Sequence, residues 1–358
     1  KERINIMLTN NNPIRVLVVD DSMVARNLIT QGLASHPRIQ VVGTAINAVD
    51  AKSKIDRLSP DVVTMDVEMP GVNGIEFLKQ YLPTHPVPVI LVSSLNLRVF
   101  DALAAGAVDF VRKPDGAEST ASFLHALAQK IIVASCAKVP RTTRPAPAAG
   151  MAAVHPPIGS LGHSLALDST IIGLGASTGG TEATLEVLKR LPADIPGMLI
   201  VQHMPVGFTK MYADRLNRLC QMEVREAVNG DEIHRGLALI APADLQMRVV
   251  RMGSRYTVSC MPGEKVSGHR PSVDVLFSSM ASTVKCHMVG IIMTGMGRDG
   301  ASGLLEMRKA GAYTIGQDKE SCVVYGMPCV AHEIGAVTIQ ASCENIASVL
   351  MTHLKTAK

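Results

Sequence analysis

The first third of this chain alternates short, continuously apolar runs with helix-length segments of mixed polarity. The runs are Arg15–Asp20, Ile39–Thr44, Asp61–Asp66, Val87–Ser93 and Asp109–Lys113. A strand apolar along its whole length is buried on both faces, as parallel strands covered by helices are. Five such units predict a five-stranded doubly wound α/β domain. The first connecting helix is predicted over Ser22–Ser35, with Ser22 as a good N-cap. The fifth is predicted over 118–137.

The rhythm breaks at 136–167, where Pro, Ala and Gly dominate and no period is sustained. Such a stretch predicts a flexible linker, extended where prolines cluster. The rhythm resumes from 168 to 351, with strands predicted at 170–176, 197–203, 287–294 and 312–317. Helices are predicted at 181–190, 208–219, 272–283, 299–310 and 344–354. Four further strands, 222–228, 237–241, 246–251 and 255–260, read as an antiparallel insertion. The expected fold is therefore a doubly wound domain at 14–135 followed by a larger α/β parallel-sheet domain. With 47% of 358 residues apolar, each half can bury its own core.

Composition removes several classes of function. The net charge is only +4, from 35 basic and 31 acidic residues, and no basic stripe forms, which argues against nucleic acid. Trp is absent and aromatics are 3%, so platforms for stacking bases are not expected. The seven cysteines are scattered and form no CxxC pair, as expected of reduced thiols in a cytoplasmic protein. No apolar run approaches the roughly 18 residues of a membrane span, so no membrane insertion is expected. Lys1 to Asn12 are polar and lack the apolar stretch of a signal peptide.

In a parallel sheet, ligands bind at the carboxyl ends of the strands. Strand one ends in Asp20-Asp21, strand three in Asp66, strand four in Ser93 and strand five in Lys113-Pro114. Three carboxylates gathered there repel one another unless a hard cation is present, and a partly open oxygen site suits Mg²⁺. With a divalent ion, a lysine and a hydroxyl beside it, Asp66 is placed to receive a phosphoryl group. Taken singly, Asp20 and Asp21 read equally well as helix caps and Lys113 as a surface lysine.

VLVVDDS (16–22), VVTMDVEMPGVNG (62–74), VILVSS (89–94) and GAVDFVRKP (106–114) together resemble the response-regulator receiver family. The resemblance implies Asp66 as phospho-acceptor and Asp20 and Asp21 as acids of an Mg²⁺ site, with the carbonyl of Glu68 as a further ligand. It implies Ser93 and Lys113 as phosphoryl contacts and Phe110 at the family's switch position. It also implies a cis Lys113–Pro114 bond, which X–Pro pairs permit at low cost.

In the second half, Gly175-Ala176-Ser177-Thr178-Gly179 follows an apolar strand and precedes a helix. It matches G-x-S-x-G, in which small residues let a serine sit on a sharp turn. Two other readings stay open: a dinucleotide loop, although Thr178 holds its third glycine position, and a plain helix cap. A nucleophilic serine needs a base and an orienting acid. His203 ends the next strand, in LIVQHMP, and Asp299 lies just past another, in TGMGRDGASG. Alone, His203 reads as a core histidine and Asp299 as an N-cap. The chain order Ser, His, Asp differs from that of the α/β-hydrolases, which argues for a separate fold. His332-Glu333 is not part of HExxH, because position 336 is Ala, so a zinc protease is not expected.

IIGLGASTGGTEA (171–183), VQHMP (201–205), HRPSVDVLF (269–277), GIIMTGMGRDGASGL (290–304) and GQDKESCVVYGMP (316–328) resemble the catalytic domain of the chemotaxis protein-glutamate methylesterase (CheB) family. The resemblance implies Ser177 as nucleophile, His203 as general base and acid, and Asp299 as orienter. It implies oxyanion support near Thr178 and Met296, and no cofactor for ester hydrolysis. The implied substrates are glutamate methyl esters and specific glutamines of methyl-accepting chemoreceptors, and the implied phosphodonor is the chemotaxis histidine kinase. The implied control is a receiver that restrains the hydrolase until Asp66 is phosphorylated. After GMP, Cys329-Val330-Ala331 stands where the family usually carries a charged residue.

Overall fold

The computed structural model describes residues 12–69, 74–94, 98–114, 119–139, 159–162 and 165–356. The chain divides into two compact units, 1–152 and 153–358. Of the expected linker, 140–158 and 163–164 lie outside the described residues. Among the described residues no helix is long and apolar enough to cross a membrane.

The first unit runs β1 (Ile14–Val19), α1 (Met23–Ala34), β2 (Ile39–Ala45), α2 (Ala48–Leu58), β3 (Val62–Asp66), α3 (Gly74–Tyr81), β4 (Val89–Ser93), α4 (Arg98–Ala104), β5 (Asp109–Arg112) and α5 (Thr120–Ala134). Strand order is β2-β1-β3-β4-β5, parallel throughout. β3 and β4 are buried along their whole length, which is why they read as unbroken apolar runs. Ser22 caps α1 as expected: its Oγ accepts from the Ala25 N–H at 3.3 Å. The chain reverses its direction of spread at β1, so the ends of β1 and β3 flank a crevice.

The second unit runs α6 (Leu165–Asp168), β6 (Ile171–Ala176), α7 (Gly180–Leu188), β7 (Gly197–Gln202), α8 (Phe208–Leu219), β8 (Glu223–Glu226), β9 (Leu237–Ile240), β10 (Gln246–Met252), β11 (Arg255–Met261), α9 (Val273–Thr283), β12 (Met288–Ile292), α10 (Ala301–Lys309), β13 (Tyr313–Gln317), α11 (Met327–Glu333), β14 (Ile339–Ala341) and α12 (Cys343–Thr356). Seven strands form one parallel sheet, ordered β14-β13-β12-β6-β7-β9-β8. The antiparallel insertion is smaller than expected. β8 and β9 join the main sheet in parallel with β7, and only β10 and β11 form an antiparallel hairpin. The ten residues 227–236 between β8 and β9 are too many for a tight hairpin turn, so the pair is free to run parallel.

The spread reverses at β6, so the crevice of this sheet lies between β6 and β12. The hairpin, α9 and α10 cover one face. Leu239, Met247, Val258, Phe277, Met280 and Leu304 meet in that core. Phe277 is fully buried, which stabilises the fold by about 1.5–3 kcal/mol. α9 leans on both β10 and α10, and its first N–H groups meet Asp299.

One expectation in the first unit is overturned. Lys113–Pro114 is trans; the cis peptide bond among the described residues is Arg270–Pro271. Trans is the intrinsically favoured form, and from it the Lys113 ammonium already reaches its carboxylate partners.

Candidate active site and acidic pocket

The acidic pocket sits where the strand ends predict. Asp20 follows β1 and is 1% exposed, and Asp66 ends β3 at 5%. Lys113 Nζ lies 2.6 Å from Asp66 Oδ2 and 2.8 Å from Asp20 Oδ2. Backbone groups fix the far oxygens: Glu68 N–H donates to Asp66 Oδ1 at 3.1 Å and Ser22 N–H to Asp20 Oδ1 at 2.9 Å. Burial pushes the Asp66 carboxyl up, and the Lys113 contact offsets this only in part. Burial also opposes the charge on Lys113, but Asp20 and Asp66 outweigh it and hold the ammonium above its ordinary range.

Asp21 is exposed at the rim, and ligand oxygens of Asp20, Asp21 and Asp66 lie within 4.8 Å of one another. An oxygen-only set of that size fits a hard divalent cation. The Glu68 side chain is exposed, so only its backbone belongs to the pocket wall. Ser93 is fully buried at the end of β4, and its Oγ has no hydrogen-bond partner among the described residues. Phe110 on β5 is 2% exposed and meets Phe100 edge-on at 6.5 Å.

In the second unit, β6, β7 and β12 are neighbours, and each delivers one residue of the predicted triad. Ala176 is opposite Gln202 and Gly175 opposite Ile292, so Ser177, His203 and the 293–299 turn leave adjacent strand ends. Ser177 N–H donates to Thr294 O at 3.0 Å, and Ser177 O accepts from Gly180 N–H at 2.8 Å. Gln202, 2% exposed, donates from Nε2 to Ser177 O at 2.8 Å and to His203 O at 3.2 Å, tying the two loops together. Gly179, at φ +77°, turns the chain into α7 in a conformation that other residues resist.

Gly295 is required for space. A Cβ there would lie 2.7 Å from Ser177 Cβ and 2.4 Å from Met327 Sδ. Its carbonyl accepts from Gly326 and Met327 N–H groups at 3.1 and 2.8 Å, pinning the 295–297 turn to the start of α11. Gly295→Ala must therefore move the serine turn. We expect kcat to fall by about 10²-fold, the usual cost of a displacement near 1 Å, with the fold retained by circular dichroism. Wild-type kcat would show that the turn has slack.

His203 Nε2 and Asp299 Oδ2 are 2.8 Å apart, with the imidazole 8% and the carboxylate 1% exposed. Asp299 also accepts from Ser272 Oγ at 2.7 Å, Val273 N–H at 2.8 Å and Asp274 N–H at 3.1 Å. It thus occupies the N-terminus of α9, where orphan N–H groups and the helix dipole favour an anion. Burial works against its charge, but His203, Ser272 and the Val273 N–H together outweigh burial and hold the carboxyl below its ordinary range. An ionised carboxylate only accepts, so the proton of a neutral His203 ring sits on Nε2. The lone pair is left on Nδ1, which is buried and has no hydrogen-bond partner among the described residues. Ser177 and His203 are therefore neighbours by strand register without a hydrogen bond between them.

Of the two residues expected to support an oxyanion, Thr178 is 5% exposed and its carbonyl accepts from Thr294 Oγ1 at 3.0 Å. Met296 is half-buried in the turn that Gly326 and Met327 pin. Sequence reasoning missed four participants: Gln202, His269, Ser272 and Asp274. His269 stacks flat on His203, with centroids 3.8 Å apart and planes 4° apart. The available signal was Ser272, an N-cap ahead of the apolar period of α9.

Both units of the chain are similar to known proteins. Residues 172–350 match the CheB methylesterase family model, and residues 16–123 match the response regulator receiver domain. A protein-glutamate methylesterase/protein-glutamine glutaminase of Syntrophomonas wolfei is 50% identical over 94% of this chain and 96% of its own length. One from Syntrophotalea carbinolica is 46% identical over 93% and 96%. Among solved structures, the catalytic domain of Thermotoga maritima CheB methylesterase is 33% identical. It covers 51% of this chain and 97% of its own, with a TM-score of 0.50.

Proposed function

This chain belongs to the CheB methylesterase family, and on that premise we propose that Ser177, His203 and Asp299 hydrolyse glutamate methyl esters, and deamidate glutamines, on methyl-accepting chemoreceptors. The observation that carries the residue assignment is the buried His203–Asp299 pair, which leaves the Nδ1 lone pair at the strand ends that present Ser177. Ser177 Oγ attacks the γ-carbonyl and gives its proton to His203 Nδ1. Backbone N–H groups near Thr178 and Met296 take the oxyanion. The imidazolium returns the proton to the methoxy oxygen, and methanol departs. Water, activated by the same nitrogen, then cleaves the acyl-serine to glutamate and free Ser177. With a glutamine substrate the departing group is ammonia and the remaining steps are unchanged.

Control comes from the first unit. Asp66 is the phospho-acceptor, and the chemotaxis histidine kinase is its donor. Asp20, Asp21, Asp66 and the Glu68 carbonyl are the set that would hold Mg²⁺, whose role is to neutralise charge on the arriving phosphoryl group. Lys113 and the Ser93 hydroxyl bind the phosphoryl oxygens once it is attached to Asp66. Phosphorylation adds charge of about −1.5 to −2 to a pocket that already depends on Lys113 for balance, and so biases the domain toward its active packing.

The test is methanol release from methylated receptor, with and without acetyl phosphate. The wild-type protein is expected to speed up with the phosphodonor, and Asp66→Asn is expected to hold at the unstimulated rate. A variant that still responds in full would sink the assignment of Asp66. Absence of methanol release from the wild type under both conditions would sink the hydrolase reading itself.

A further inference from the structure

The two helices behind the triad exchange caps. The first N–H groups of α9, on Val273 and Asp274, end on the carboxylate of Asp299, which lies two residues before α10. Asp274 points the other way from the first turn of α9. Its Oδ1 accepts from Gly303 N–H, in the first turn of α10, at 2.8 Å, and its Oδ2 takes the Ser267 hydroxyl at 3.4 Å. The helices meet with no spare room: a Cβ at Gly303 would lie 2.7 Å from Phe277 Cβ and 2.9 Å from Asp274 O. A Cβ at Gly300 would lie 2.5 Å from Val273 Cγ1. The place of Asp299 is thus fixed by α9, and the place of α9 against α10 is fixed by Asp274.

We propose that Asp274 is a positioning residue for the hydrolysis, locking α9 to α10 so that Asp299 stays against His203, and lending its charge to the imidazolium formed during turnover. This rests on the reading of Asp299 as the orienting acid. The titratable groups around the pair are few. His203 faces Asp299 from the end of β7, and His269 stacks on His203 from the loop before α9. Arg298 adjoins Asp299 in the chain and is exposed. Burial pushes the Asp274 carboxyl up; the Gly303 N–H opposes this, and the charge on Asp299 reinforces it. Ionised, Asp274 is a second negative charge beside Asp299, behind the imidazolium that turnover forms, and Asp274→Asn removes it.

The experiment is the pH dependence of methanol release by the full-length, phosphodonor-treated protein, for Asp274→Asn, Asp274→Ala and Asp299→Ala. Asp274→Asn keeps the shape and an acceptor for Gly303, so it should move the acid limb of kcat/KM to lower pH. Asp274→Ala loses the clasp and should cut kcat about tenfold, with KM unchanged. A purely structural role would leave the acid limb of Asp274→Asn where the wild type has it. If Asp274→Ala does not fold, the limb of Asp274→Asn decides alone. The inference is overturned if that limb does not move while Asp299→Ala is inactive. Activity in Asp299→Ala would instead overturn the reading of Asp299 on which it rests.

Discussion

Ser177→Ala is expected to release no measurable methanol from methylated receptor while taking phosphate on Asp66 normally. The side chain lost is one hydroxyl on a turn held by backbone bonds to Thr294 and Gly180, neither of which involves Oγ. The fold therefore has little reason to change. Catalysis does, because without a nucleophile the Nδ1 lone pair has no proton to take and no acyl-enzyme forms. Losses in comparable hydrolases are about 10⁴- to 10⁶-fold, and what remains comes from binding and oxyanion donors. A residual rate within about 10²-fold of wild type would point to direct attack by water activated on His203, and the covalent route would fall.

Asp299→Asn should cost nearly as much, for a different reason. Each carboxylate oxygen accepts two donors: Oδ1 from Ser272 and Asp274, and Oδ2 from His203 and Val273. An amide nitrogen at either place meets an N–H that now has nothing to donate to. Facing His203, it also forces the ring proton onto Nδ1, where the base is needed. The charge that stabilises the imidazolium disappears with either orientation. A fall in kcat of about 10⁴ is expected at neutral pH. Recovery of the wild-type rate at any pH between 6 and 9 would show that the acid neither orients the ring nor stabilises it.

The parts of these sites that end strands were legible in the sequence, because an apolar run followed by a polar residue marks both a strand and its carboxyl edge. Asp20, Asp66, Ser93, Ser177 and His203 are all found this way. Residues that reach the sites through packing were not. His269 and Ser272 come from the connection between the β10–β11 hairpin and α9, and nothing local says that this connection folds back over β7 and β12. Gln202 reads as the last residue of a strand, yet its side chain ties the Ser177 and His203 loops together. α11 and β14 were missed for another reason. Seven residues opening on Met-Pro, and a strand of three, are too short for a period to build up. The Lys113–Pro114 bond was misjudged because local chemistry allows both isomers, and the surrounding pocket decides between them.

The reversal of spread at β6 also governs the order in which the second unit can form. β6 is the first strand of its sheet to be made, but one of its two neighbours, β12, arrives only after the hairpin and α9. Ninety-six residues separate His203 from Asp299. Closing that span comes late, because the entropy lost in a long loop is recovered only when the strands dock. A growing chain therefore carries Ser177 and His203 long before Asp299 can reach them, and the three come together only when the sheet is nearly complete.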